Sequence, residues 1–248
     1  MSLKDASAYN IQFRGRNAVL IDTLSFEHYQ EGQPWVAYRQ FCQHFLAPLA
    51  LMSYCDIRLG QLLRVYIDGV PLDLASRLLP ARTRLKFSLL SHIHMHAKSQ
   101  QRYSDKAIDK TSLRPISEFN FRALIDSLET AVKSLKWSAG GSEWAEYYTI
   151  TNYGQTAFEH KRAIVGQFLD KCAPSTVWDL GGNTGVFSQI ASDKGIETVS
   201  FDLDPSAIEA SYRRVREQGM PCLLPLIVDL TNPSPGLGWA HQERQSLI

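Results

Sequence analysis

In "STVWDLGGNTGVFSQIASDKG", residues 175–195, Asp179 stands two positions ahead of Gly181, with Gly182 and Gly185 following. A β-prone apolar run leads into the glycines and a helix-forming stretch leaves them, so the spacing predicts strand, tight turn and helix. Glycines at such a turn let the main chain approach a ligand and present amide N–H groups at a helix start. That much suits any nucleotide. The dinucleotide fingerprint G-x-G-x-x-G would also need glycine at position 180, and leucine stands there. A carboxylate at 179 would in addition repel a phosphate at the helix N-terminus. A ligand with a cationic group fits better.

S-adenosylmethionine (SAM) has such groups: an ammonium and a sulfonium for Asp179, and a carboxylate for the amides of Gly181, Gly182, Asn183 and Gly185. In "VSFDLDPSAIEA" a second strand ends in Asp202-Leu203, where a carboxylate can accept both ribose hydroxyls at the C-terminal tip of a parallel strand. Asp204 then caps the next helix, with Pro205 in its first turn. A third apolar run, "CLLPLIVDL", ends in Asp229-Leu230, an acid placed to accept from the adenine amino group. Singly, a glycine cluster is often a plain turn, Asp202 reads equally as a helix cap, and Asp229 says little. The order acid, glycines, acid, acid along successive strand ends is what points to SAM.

Other chemistry-bearing residues weigh less. Lys161 falls on the apolar stripe of a helix just ahead of the first strand; it either reaches the SAM carboxylate or lays its stem over the core with its ammonium in water. Tyr147, Tyr148 and Tyr153 read more readily as packing residues than as a cofactor cover. "SHIHMHAKS" would align His92, His94 and His96 on a strand, but its flanks favour helix, which turns His94 away, so the expectation is a polar helix end and no metal site. Near the N-terminus, Asp5 and Asn10 reproduce the D-x-x-x-x-N spacing of a kinase catalytic loop, with Asp22 one hairpin later. This resembles a kinase-like C-lobe, in which Asp5 would be the base and Asn10 and Asp22 metal ligands. No histidine precedes Asp5, no Phe-Gly follows Asp22, and neither a glycine-rich loop nor a strand lysine precedes them. The expectation is therefore a degenerate fold serving as scaffold or substrate-binding module, with phosphotransfer the lesser alternative.

These residues need elements to hold them. Asn10–Phe13 and Ala18–Asp22 read as a β-hairpin around Arg14–Asn17. Residues 34–79 are helical in period, with prolines at 48, 71 and 80 as punctuation. The polar stretch 97–115 reads as a linker. Ser117 caps a helix carrying Phe121, Leu124, Ile125, Leu128, Val132 and Leu135, ended by the glycines at 140 and 141. A second helix spans about 155–171. After it, strand-like runs at 176–180, 198–202 and 223–228 alternate with helices near 184–194 and 205–218, the order of a parallel sheet with crossover helices.

Composition bounds the partners. The 248 residues are 44% apolar, enough for a real core, and 26 basic against 25 acidic side chains give no broad field for nucleic acid or an anionic membrane. Cys42, Cys55, Cys172 and Cys222 are scattered and form no C-x-x-C pair, and the N-terminus lacks a signal-peptide layout, which predicts reduced thiols in the cytoplasm. No apolar run nears the length of a membrane span.

Residues 176–232 resemble the front half of a class I SAM-dependent methyltransferase. Asp179-Leu180-Gly181-Gly182-Asn183-Thr184-Gly185 matches that family's first motif, D/E-x-G-x-G-x-G, with Asn183 in place of the middle glycine and Gly182 one position early. More narrowly, "VWDLGGNTGVFSQIA", "FDLDPSAIE", "VDLTNPSPGLGW" and the N-terminal "LKDASAYNIQF" are similar to a bacterial group of nodulation-protein-like methyltransferases. The resemblance implies an α/β fold with a Rossmann-like SAM-binding sheet, preceded by a mainly helical domain with an N-terminal hairpin. The expected domains are 1–115 and 116–248, both ends of the chain are expected to be cut, and the acceptor pocket and catalytic residues are expected beyond Ile248. The expected activity is methyl transfer from SAM to an unidentified acceptor. A non-catalytic SAM-binding module is the alternative from another class.

Overall fold

A computed structural model describes residues 1–97, 115–138 and 154–247. The chain is mixed α/β, with helices and small sheets, and divides into two compact units. The first is built mainly from Met1–Gln12 and Leu20–Trp137; the second takes the hairpin tip Phe13–Val19 and the chain that follows the first unit.

In the first unit, β1 (Ser2–Leu3) pairs antiparallel with a later strand of two residues, Phe26–Glu27, in the register Ser2↔Glu27 and Leu3↔Phe26. Between them β2 (Ile11–Arg14) and β3 (Asn17–Leu20) form the expected hairpin, with the first strand one residue later than expected and the second ending at Leu20 instead of Asp22; Phe26–Glu27 is then β4. The short strand pair had no alternation long enough to be seen in sequence. The helical region breaks into short pieces: α1 (Tyr38–Phe41), a π-helical turn Cys42–Leu46, α2 (Ala47–Tyr54), α3 (Leu62–Val65), α4 (Leu72–Leu78), α5 (Phe87–Leu89) and a second π-helical stretch, Leu90–Met95. Pro48 stands inside the continuous helical run Tyr38–Tyr54, just after the π-helical turn, where it gives up an intrahelical donor, and Pro71 and Pro80 immediately precede helical turns.

Helix α6 (Glu118–Ser134) starts where Ser117 Oγ accepts from Asn120 N at 3.3 Å. It ends at Ser134, before the glycines at 140 and 141, which lie outside the described residues. Leu128 and Ala131 join Cys42, Leu46, Leu51, Val70, Leu72, Leu89 and Ile93 in one continuous buried core. This helix, placed at the head of the second domain by sequence, thus packs in the first unit, because its apolar stripe finds its partners there. Most of the stretch 97–115 read as a linker lies outside the described residues.

The second unit contains three parallel strands in the order β5 (Thr176–Leu180), β6 (Glu197–Asp202), β7 (Leu223–Ile227). Asp179 lies opposite Ser200, Leu180 opposite Phe201, and Asp202 opposite Ile227, so the three C-terminal ends are level. Helix α7 (Gln155–Cys172) precedes β5, α8 (Val186–Asp193) links β5 to β6, and α9 (Pro205–Gln218) links β6 to β7. Central strand β6 is the most buried: Thr198, Ser200 and Phe201 are closed to solvent, and Ala207, Ile208 and Val215 of α9 are buried with them. Asp204 caps α9 through Oδ1, accepting from Ser206 N at 2.8 Å, and Gly219 ends it in the left-handed region.

Candidate functional site

A cavity of about 720 Å³ opens at the tip of β5. Its floor is Asp179 to Asn183, one wall is the stripe Phe158, Lys161, Val165 and Leu169 of α7, the other is Phe187, Ser188 and Ala191 of α8, and Asp202 of β6 closes one side. The size lies within the range of small-molecule sites. The Phe158 and Phe187 rings meet with centroids 5.7 Å apart.

The glycine turn is built for close approach to the sheet. A Cβ on Gly182 would collide with the Ser200 hydroxyl and come within 3.1 Å of Asp179 Oδ2, whereas Gly181, at φ +81°, faces open space. Sequence reasoning expected the turn's amides to meet a ligand carboxylate, but they are engaged inside the protein. Gly181 N and Gly182 N both donate to Phe201 O at 2.9 Å, and Gly185 N donates to Gly182 O at 2.7 Å. Asn183 N donates to Asp202 Oδ2 and Thr184 N to Asn183 Oδ1, each at 2.7 Å. Leveling of the strand tips is the cause: Phe201 O and the Asp202 carboxylate reach the loop before any ligand does. Arg214 of α9 fastens the far side, donating from Nη2 to Thr184 O at 2.6 Å.

The two carboxylates at the cavity keep accepting capacity. Asp202 takes one backbone N–H on each oxygen, from Asn183 on Oδ2 (2.7 Å) and from Asp204 on Oδ1 (2.9 Å). A carboxylate oxygen has two lone pairs, so this fixed group retains one on each side, a match for a vicinal diol. Asp179 accepts at Oδ2 from Ser188 Oγ at 2.5 Å, a positioning contact that no motif announced. Lys161 also reaches the cavity, its Nζ 4.4 Å from the centroid of the Phe187 ring.

Four predicted residues stand elsewhere. Gly185 is not part of the cavity lining; it lies against Ser211 and Arg214 of α9. Leu203 and Leu230 are exposed and also outside the lining. Asp229 lies two residues past the end of β7, and its Oδ1 accepts from both the amide (2.9 Å) and the hydroxyl (2.7 Å) of Thr231. Its acid was read as a strand tip, but the strand stops at Ile227. Tyr147, Tyr148 and Tyr153 lie outside the described residues.

The N-terminal pattern does come together, as a chain of hydrogen bonds. Asn10 Nδ2 donates to Asp5 Oδ2 and to Ser25 Oγ, both at 3.2 Å, and Ser25 Oγ donates to Asp22 Oδ2 at 2.6 Å. Asp5 Oδ1 further accepts from Gln40 Nε2 at 2.6 Å and Ser7 N at 3.1 Å, while Asp22 Oδ1 takes the amide of Leu24. The Ser25 hydroxyl bond, first among its contacts, lowers the Asp22 pKa.

The histidine stretch is a buried π-helical segment and not a polar helix end. His92 bonds Tyr38 Oη through Nδ1 and Ser127 Oγ through Nε2, both at 2.8 Å. His94 bonds Ser76 Oγ at 2.8 Å and Thr83 Oγ1 at 2.9 Å. Hydroxyls on both ring nitrogens make burial of imidazole tolerable, and no sequence signal tied those distant hydroxyls to the histidines.

No family model matches the chain. Among curated proteins it is similar to nodulation protein NoeA of Rhizobium meliloti (strain 1021), at 38% identity over 98% of this chain and 52% of that protein. The chain thus spans about half the length of this relative. Among solved structures it aligns with the O-methyltransferase NcsB1 from neocarzinostatin biosynthesis, in complex with SAM and 2-hydroxy-5-methyl naphthoic acid, at 14% identity and a TM-score of 0.24 over 81% of this chain and 66% of that one. The same enzyme with S-adenosyl-L-homocysteine and 1,4-dihydroxy-2-naphthoic acid aligns at 15% identity and the same TM-score. A score of 0.24 carries no statement about fold.

Proposed function

We propose that this chain is the cofactor-binding portion of a SAM-dependent methyltransferase, with a Rossmann-like arrangement of β5, β6 and β7 holding the cofactor at their tips. The observation that carries the reading is Asp202: a carboxylate locked by two backbone amides, with one lone pair left on each oxygen, at the edge of a cavity of about 720 Å³. A ribose diol supplies the two donors that such a group can accept. Asp179, oriented by Ser188, adds negative charge for the ammonium of the methionine tail. Phe158 and Phe187 supply apolar wall, and Gly181 leaves the floor open where a side chain would stand.

SAM would supply an activated methyl group on a positively charged sulfur. The protein's part is to bind and orient it and to exclude water, and this chain's residues serve binding. Methyl transfer itself belongs to the same proposal, as does a link to nodulation, for which its relative NoeA is named.

Isothermal titration of the 248-residue chain with SAM tests the reading. Asp202→Ala weakens binding by at least about tenfold. Asp202→Asn keeps an acceptor for only one of the two backbone amides and weakens binding as well, so the thermal unfolding midpoint of both variants is measured alongside, and a loss of affinity at an unshifted midpoint separates lost ligand contact from a disturbed loop. Unaltered affinity in both variants removes the assignment.

A further inference from the structure

On the SAM reading, the cavity also has to hold the carboxylate end of the cofactor's amino-acid tail. An amino-acid tail carries a carboxylate as well as an ammonium, and the backbone of the cavity floor offers that carboxylate no free N–H. From Gly181 to Gly185 every backbone N–H already has an acceptor: Phe201 O for two, Asp202, Asn183 and Gly182 for the others. The remaining charged groups of the lining make matters worse for an anion, because Asp179 and Asp202 are both acids. The two acids would repel a ligand carboxylate placed there unless a cation stood by.

Among the residues that line the cavity, the cation is Lys161. It projects from α7 one turn after Phe158 and one turn before Val165, on the stripe that forms the wall. Its ammonium lies over the face of Phe187, 4.4 Å from the ring centroid, which holds the head at the cavity wall. An ammonium has three donors, and a ring face accepts from one direction, so donors are left for an anion. Phe187 itself stands one residue before Ser188, the donor that orients Asp179. Acid and base are therefore set by neighbouring positions of α8.

We propose that Lys161, steadied by Phe187, is the specificity-determining residue for the carboxylate of the ligand's amino-acid tail, in the role that the glycine-turn amides were expected to fill. Asp179 and Lys161 together read the tail as a zwitterion, and Asp202 reads the nucleoside. The cavity accordingly favours adenosyl ligands with an intact amino-acid tail over those without one.

The test is calorimetric titration of the wild-type chain, Lys161→Met and Lys161→Arg with two probes: SAM, and 5′-methylthioadenosine, which keeps the nucleoside and lacks the tail. Lys161 is exposed, so its substitution leaves the fold intact. Lys161→Met is expected to lower SAM affinity about tenfold and to leave methylthioadenosine within roughly twofold of wild type, with Lys161→Arg recovering much of the loss. Unchanged SAM affinity in Lys161→Met overturns the inference while the SAM site stands. Equal losses for both probes also overturn it, since the lysine would then act on the nucleoside or on the wall. If neither probe binds the wild-type chain, the SAM reading itself fails.

Discussion

The two units differ in where their hydrogen-bonded acids lie. In the first, beside a continuous core from Cys42 to Ala131, buried His92 and His94 end both ring nitrogens on hydroxyls, and hydrogen bonds join Asp5, Asn10, Ser25 and Asp22 in a chain. In the second, a small cluster of Val215, Met220 and Leu223 lies away from a strand tip where Asp202 keeps accepting capacity on both oxygens, while Trp178 and Leu180 stay exposed. Motif-like spacing occurs in both. Spare lone pairs alone do not mark Asp202, since Asp22 also takes one hydrogen bond on each oxygen; what marks it is that those lone pairs border a cavity of about 720 Å³.

The sharpest way to break this contrast is at Asn10. Asn10→Ala removes the donor shared by Asp5 and Ser25, both partly or fully buried, and should cost about 1–3 kcal/mol of unfolding free energy. Urea denaturation measures the loss, and SAM titration of the same variant should match wild type. A variant that keeps full stability but loses a nucleotide or metal affinity present in the wild-type chain would turn the lock into a site.

A smaller effect follows from pH. Burial holds the pKa values of His44, His92 and His96 below the ordinary 6.5; the neighbouring His96 adds to the effect at His92 and Arg39 at His96, while Asp5 and Asp68 oppose it at His44. Below 6.5 the unfolded chain therefore binds more protons than the folded one, so stability is fully present above about 6.5 and declines as pH falls toward the folded-state values. The urea midpoint should be lower at pH 5.5 than at pH 7.5, and His92→Gln should reduce that difference. A midpoint independent of pH across this interval would show that the first unit does not hold these imidazoles neutral.

Much of the second unit could be read from sequence because its signals are local. Asp204 before Pro205 marks a cap, three apolar runs of strand length alternate with amphipathic stretches, and the helix from 155 carries its stripe in the expected phase. The site was legible only in part. Asp179 and Asp202 line the cavity, but Asp229 does not, because β7 ends two residues earlier than the acid. The closed state of the amides was invisible, since it depends on Phe201 O lying level with Gly181 across the ladder, a matter of register between strands. The first unit was harder. Its helices are three to eight residues long before α6, interrupted by two π-helical turns, and its hydrogen bonds join residues as far apart as Tyr38 and His92. Periodicity carries no record of such pairings.

The most direct measurement is a crystal structure of the chain with S-adenosylhomocysteine, which shares the nucleoside and the tail with SAM. The account predicts both ribose hydroxyls within about 3 Å of the two Asp202 oxygens, with the tail between Asp179 and Lys161. A ligand bound away from Asp202, or one that touches it through neither hydroxyl, would contradict it.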